Sequence, residues 1–376
     1  MTIGKLVELT NTPRTTVNRI ISALLSSDLI CPVGSEESTG GRRPLLYTVN
    51  PKGLYTIGID LSRSHVHLLL CKAQFEPQWT EHIPITRKSS PHILLERISH
   101  TLLETIQTHR IPPERLIGLG IGSVGPLDIE QGILLDTANF PAPGWKHIPL
   151  KAFFEEKLQL PVLVRSGASM AVVGESIRGT GRDLENLVYV NIGMGIRCGV
   201  MVNKSLLQPK GDTEGAYGHM VVEAAGRPCY CGGFGCIESY ASIPAILNQF
   251  QKELKKGKQS TISSIGSEEG PEIQDICFAA EEGDPLAAYI IQDAAVYMGI
   301  YLANIVSTLH PQEVIIGGAL PEMSPLFHTR AVETARQKLY PPMQANVHFT
   351  KSPLGRDVIA LGAAALVLSQ NIQGRI

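Results

Sequence analysis

The chain has almost no net charge: 33 Lys and Arg stand against 35 Asp and Glu in 376 residues, a formal −2 at pH 7. That near-balance excludes a blanket electrostatic attraction to nucleic acid or anionic membrane, so any such partner must be met by a local patch. No secretory signal opens the sequence, and Cys31, Cys71, Cys198 and Cys277 lie scattered, which points to a reducing cytoplasm. Nor is any long apolar run free of polar residues. The longest, residues 286–309, would reach about 36 Å as a helix. Gln292, Asp293 and Asn304 would be costly in lipid, so a buried core helix is the better reading and no membrane partner is expected. A strict internal repeat is also missing. What is present is apolar material, 43% of the residues, ample for two or three domains with real cores.

The densest chemical signal lies between Gly218 and Glu238, where His219 is followed by Cys229, Cys231 and Cys236. Three thiols and an imidazole suit borderline-soft zinc, and four protein ligands leave no open position for a reacting water. The metal would be a staple, not a catalyst. Gly232, Gly233 and Gly235 let the backbone turn tightly enough for Cys231 and Cys236 to face one ion. A disulfide is the rival reading, since short cysteine clusters also pair.

Residues 1–50 read as a unit of their own. Ile3, Leu6, Val7 and Leu9 fit one face of a short helix that Asn11-Thr12 breaks. A second helix follows, with Thr12 as its cap, Pro13 in its first turn, and Val17, Ile20, Ile21, Leu24 and Leu25 at helical spacing. Its other face carries Arg14, Thr15, Thr16, Asn18 and Arg19, side chains that reach phosphates and base edges. Residues 29–33 and 45–49 read as two strands around a tip that ends in Gly41-Arg42-Arg43. The pattern is a helix-turn-helix with a wing, and its partner would be DNA through the helix face, Arg42 and Arg43. A plain helical hairpin is the alternative, because the segment holds five basic against four acidic side chains. A winged helix also needs a third helix to cover the other two, so either coding sequence upstream of Met1 or another part of the protein is expected to supply that cover.

Beyond residue 54, apolar strands at 55–60, 117–122, 187–193 and 313–318 run into small residues or turns and alternate with helices such as 93–106 and 150–158, an α/β pattern. Residues 257–271, rich in Gly and Ser, read as a surface insertion. These features together resemble the ROK family, which comprises bacterial sugar kinases and related transcriptional repressors. The resemblance spans essentially the whole chain. It rests on Gly41-Arg42-Arg43-Pro44, on Gly122-Ser-Val-Gly125-Pro126-Leu-Asp128, on Pro143-Gly144-Trp145, on Ile316-Gly317-Gly318, and above all on His219, Cys229, Cys231, Cys236 and Glu238. It implies a two-lobed actin-like ATPase (ribonuclease H-like) fold over residues 51–376, preceded by an N-terminally shortened winged helix-turn-helix over residues 1–50. It also implies structural zinc in one wall of a sugar cleft, a homodimer or homotetramer, and a repressor relieved by a sugar or sugar phosphate.

The resemblance further implies that this member is no kinase. A sugar kinase needs a carboxylate to take the proton of the attacking hydroxyl. Where the family carries Asn-Asp, this chain reads Ser166-Gly167, and Glu175 is displaced by about 12 Å along a helix. The first phosphate turn has become Asp60-Leu61-Ser62-Arg63-Ser64 and the second Gly193-Met194-Gly195. No catalytic residue is therefore expected. Arg63 and Arg197 either hold an anion or are surface or structural arginines. Of the sugar-gripping positions, Glu238, His219 and Ser166 remain, while the family's acid before Gly218 is Ala216, with Glu214 nearby. Glu238 is open to a second reading as a helix N-terminal acid favoured by the dipole. Two other classes stay in view: an ATP-dependent sugar kinase of the glucokinase or N-acetylhexosamine kinase type with a displaced base, and a binding module that has lost both DNA and sugar.

Overall fold

The computed structural model describes residues 1–35, 43–50, 53–137, 140–208, 216–262 and 271–372. The chain begins with helices α1 (Ile3–Thr10) and α2 (Arg14–Ser26). Thr2 caps α1, its hydroxyl accepting the Lys5 N–H at 3.3 Å. The expected cap of α2 by Thr12 does not form. Pro13 itself occupies the N-cap position, and Thr12 instead donates to the Thr10 carbonyl at 3.1 Å. The proline ring disfavours a helical Thr12, so the helix starts one residue later than the sequence suggests. Strands β1 (Ile30–Ser35) and β2 (Leu45–Val49) pair antiparallel, as expected, with residues 36–42, and so Arg42, outside the described part. Tyr47 exchanges two backbone hydrogen bonds with Met1, at 2.6 and 2.9 Å, which lays the chain start along β2. Val17 and Ile21 are the buried residues of α2, and Asp28, just beyond it, pairs with Arg115 at 2.8 Å.

The first large unit runs β3 (Tyr55–Leu61), β4 (His65–Lys72), β5 (Pro77–Pro84), α3 (Pro91–Thr108), β6 (Leu116–Ser123), β7 (Leu127–Asp128), β8 (Ile133–Leu134), α4 (Leu150–Leu158), β9 (Val162–Ser166) and α5 (Gly167–Arg178). Its five-stranded sheet has the order β5-β4-β3-β6-β9, antiparallel among β3, β4 and β5 and parallel from β3 to β9. Leu94, Leu95, Ile98 and Leu102 of α3 and Phe154 of α4 cover one face, packing on Ile57, Ile59, Leu68, Ile121 and Val164. Each such side chain contributes about 1.5–3 kcal/mol on leaving water.

The second unit runs β10 (Leu187–Ile192), β11 (Ile196–Val202), β12 (Ser205–Leu206), α6 (Glu238–Ala241), α7 (Ile243–Lys255), α8 (Ile273–Glu281), α9 (Pro285–Leu309), β13 (Glu313–Gly317), α10 (Ala319–Met323), α11 (Pro325–Lys338), α12 (Pro341–Gln344), β14 (His348–Lys351) and α13 (Val358–Ile372). Its sheet order is β12-β11-β10-β13-β14. Numbered within each sheet, both orders read third, second, first, fourth, fifth. A duplication absent from the residues is therefore present in the connectivity, as the two-lobed architecture requires.

The closing helix of each half crosses to the other. Helix α5 packs on β10 and β11, and α13 lies across β3, β4 and β6. The approach is so close that a Cβ at Gly58 would overlap the Ala360 carbonyl, and one at Gly362 would overlap the Met170 carbonyl of α5. The apolar run at 286–309 forms α9, long and apolar enough to cross a membrane, but 61% of its most apolar window is buried inside the second core. The surface insertion read at 257–271 is corrected at its start. Ser260 and Thr261 bond the Asp284 carboxylate, which caps α9, and Ile262 is only 7% exposed, because that buried carboxylate needs donors. Residues 263–270 lie outside the described part.

Candidate effector site, metal cluster and nucleic-acid interface

The loop from Met220 to Ile237 is built to hold its cysteines. The Cys229 N–H donates to Gly233 O at 2.8 Å and the Gly232 N–H to Cys229 O at 3.0 Å, closing a tight turn. Gly235 adopts φ 75°, where a side chain would also overlap the Glu223 carbonyl. The loop is tied to α9 through Glu223, which accepts from the Tyr240 hydroxyl at 2.7 Å and the Tyr297 hydroxyl at 3.0 Å. Arg227 stacks 4.4 Å over the Tyr240 ring and pairs with Asp293 at 3.2 Å. Sequence reasoning missed these five residues, since they meet only once the loop has packed against α6 and α9.

His219, Cys229, Cys231 and Cys236 come together with their ligand atoms all within 4.8 Å of one another, and the cysteines are free thiols. No disulfide forms: Cys231 Sγ and Cys236 Sγ stand 3.8 Å apart. Burial and the neighbouring thiols push Cys236 up to about 12, whereas the Gly233 N–H and the other thiols hold Cys231 below its usual range. Burial lowers His219, against the pull of Glu238, and so favours the neutral imidazole that a metal requires. Crowded thiols without a counter-charge are what a bound cation relieves. The set fits a tetrahedral soft-ligand ion.

Glu238 opens α6 and is 6% exposed, so its position answers to the helix-dipole reading. Its Oε2 accepts the Ile196 N–H at 2.9 Å and lies 3.5 Å from Arg197 Nη1. Arg63, from the β3–β4 turn of the other lobe, reaches the same place. A Cβ at Gly195 would stand 3.2 Å from Glu238 Oε2 and 3.3 Å from Arg63 Nη1. Burial, then the charge of Arg197, lowers the Arg63 pKa, while Glu238 acts to raise it. The two arginines are thus gathered at one carboxylate rather than scattered on the surface.

Ser166 and Gly167 stand at the head of α5. The Ser166 hydroxyl is buried and caps the helix, accepting the Ser169 N–H at 3.2 Å. The nearest atoms to a Cβ at Gly167 are Ile359 Cδ1 at 3.4 Å and the Ser123 carbonyl oxygen at 3.8 Å. Glu175 sits toward the far end of α5, fully buried, and accepts the Thr180 N–H at 3.2 Å. The first phosphate turn is filled from within, because the Ser62 hydroxyl accepts the N–H groups of Ser64 at 3.2 Å and His65 at 3.1 Å. In the second turn the Gly193 N–H closes on Gly195 O at 3.0 Å and Glu238 takes the Ile196 N–H. Glu214 lies outside the described residues.

On α2, Arg14, Thr15, Asn18 and Arg19 are exposed and Thr16 is half-buried, while Val17 and Ile21 are buried, and at helical spacing Arg19 and Thr15 lie opposite Val17. Arg43, just before β2, is exposed as well. One helix face and the base of the hairpin thus present polar and cationic groups outward.

Residues 56–370 match the ROK family. The chain is 30% identical to the xylose repressor of Bacillus spizizenii over 97% of its own length and 90% of the relative's. It is 26% identical to the DNA-binding transcriptional dual regulator NagC of Escherichia coli over 95% of itself and 86% of that protein. Among solved structures, a ROK family transcriptional regulator homologous to the E. coli MLC protein superposes with a TM-score of 0.83 at 24% identity, covering 100% of this chain and 93% of its own. A ROK glucokinase from Streptomyces griseus gives 0.70 at 24% identity and covers 84% of this chain and 99% of its own. At these identities the superpositions establish the two-lobed fold. The chain belongs to the ROK family.

Proposed function

We propose that this chain is a sugar-responsive, DNA-binding transcriptional repressor whose kinase-like lobes sense a ligand without phosphorylating it. One observation carries the reading. Position 167, at the head of α5, has no side chain, and the only acid on that helix, Glu175, is fully buried at its other end, where one carboxylate oxygen accepts the Thr180 N–H. Loss of a general base typically costs about 10² to 10⁴ in rate. The backbone N–H groups that a phosphate would need are occupied by Ser62 and Glu238. The relatives that match nearly the whole chain are a xylose repressor and a DNA-binding transcriptional dual regulator, while the family match itself starts only at residue 56.

In this reading residues 1–50 are the DNA-binding domain. Arg14, Thr15, Thr16, Asn18 and Arg19 face the groove, with Arg42 and Arg43 on the backbone. Residues 51–376 are the sensor, which takes a small sugar or sugar phosphate at Glu238, His219 and Ser166. Structural zinc on His219, Cys229, Cys231 and Cys236 fixes the wall that carries Glu238. The protein acts in the cytoplasm as a homodimer or homotetramer, since two recognition helices must meet half-sites one turn apart. A mobility-shift titration of the full chain on DNA upstream of its own gene, with and without sugars, tests this. Sequence-selective binding that falls with salt and with one sugar is expected. Robust ADP release with any hexose or N-acetylhexosamine would overturn the sensor assignment in favour of a kinase.

A further inference from the structure

Between two of the metal-binding cysteines stands a residue that the fold does not need: Tyr230, 55% exposed, on a loop whose backbone is otherwise turned by glycines. Its hydroxyl lies 3.4 Å from His219 Nε2, and the two rings meet edge to face, with centroids 5.3 Å apart at 73°. The other imidazole nitrogen, Nδ1, points to Cys229 Sγ at 3.5 Å and so toward the cluster centre. With Nδ1 committed there, Nε2 carries the proton and donates it outward. Glu238 and Arg197 also lie close enough to act on the phenol. The hydroxyl thus has the His219 imidazole on one side, with the Glu238 carboxylate and the Arg197 guanidinium in its neighbourhood.

That pairing is what a sugar hydroxyl offers and requires: it accepts from an imidazole N–H and donates to a carboxylate. Resting on the repressor reading above, we infer that Tyr230 is the gate of the effector subsite, its phenol hydroxyl standing between His219 and Glu238 where a hydroxyl of the sugar binds. Flanking cysteines pin the backbone at Tyr230, so opening the gate is a rotation about two side-chain torsions, not a loop movement. Arg63 of the first lobe shares the site, so turning the phenol outward also changes a contact between lobes. The gate therefore sets a threshold, since a ligand must displace the phenol from His219 and take its place beside Glu238 at once. Sugars that lack a hydroxyl at that position cannot.

The test uses full-length protein with its metal content measured, as wild type, Tyr230→Phe and Tyr230→Ala. Each is titrated calorimetrically with D-xylose, D-glucose and N-acetyl-D-glucosamine. Removing the competing hydroxyl should tighten binding of at least one sugar in the Phe variant by about five-fold, the scale of one net hydrogen bond, with metal content unchanged. The Ala variant should gain at least as much, because its gate is gone. Unchanged or weaker binding in the Phe variant overturns the gate. Failure of all three proteins to bind any of the sugars overturns it too. Operator binding measured on the same samples then separates the two ideas: if it persists, the repressor reading stands without the gate, and if it is absent, that reading falls on its own account.

Discussion

Glu175 shows how a fully buried carboxylate shapes stability. Burial pushes its carboxyl above the ordinary range, although the Thr180 N–H works the other way. The folded state therefore holds that proton more tightly than the unfolded chain. Its contribution to stability is full below the unfolded pKa and is lost as pH rises through the folded one. Urea midpoints of the wild type should fall as pH climbs out of the ordinary glutamate range, and Glu175→Gln should flatten that slope; an equally steep slope in the variant would assign it to another group. At this scale the cluster of His219, Cys229, Cys231 and Cys236 was legible in the sequence, because residue type and spacing lie within one short loop. Tyr230 was not, since its meaning depends on where a side chain points. Arg63 and Arg197 were visible only as an ambiguity, which the approach of two lobes resolved into a shared neighbourhood around Glu238.

Among the elements, the crossing of α5 and α13 carries the tightest constraint. At Gly362 a methyl group would drive into the Met170 carbonyl, and at Gly174 one would stand against Val358 O. Gly362→Ala is expected to cost about 1–3 kcal/mol, the penalty of overpacking a close seam, despite the better helix propensity of alanine. Denaturant unfolding would show it; a neutral or stabilising result would mean that the helices slide apart freely. Strands β3, β6, β10 and β13 could be read from their apolar runs, and α4 to the residue. Strands β4 and β5 escaped notice because His65, His67 and His82 break the apolar pattern where three strands meet side by side. The doubled sheet order escaped for another reason: the repeat is one of connection, and the residues that fill it have diverged.

Taken whole, and among the described residues, the protein joins its helix pair to its first lobe through side-chain bonds of Arg115 and Gln74. Arg115 bonds Asp28 beyond α2 and also the Gly53 carbonyl at 3.2 Å, and Gln74 reaches the Val49 carbonyl at 3.1 Å. A half-exposed ion pair of this kind adds about 0–1 kcal/mol to stability. In the repressor reading proposed above, the same pair would carry lobe movement to α2. Arg115→Ala should accordingly leave the melting temperature within a few degrees and operator affinity nearly intact, while blunting release by sugar in the mobility-shift titration. Full sugar release in the variant would show that the signal travels by another path, such as the contacts between subunits.

The exchange of α5 and α13 between the halves bears on how the protein is made. The glycine-bearing face of β3 and β6 is covered by a helix encoded at residues 358–372. While the ribosome is still at work, that sheet has a finished partner on one side only. The first lobe stays half-clothed until residues 358–372 have emerged, so its maturation follows that of the second lobe and not its own early place in the message.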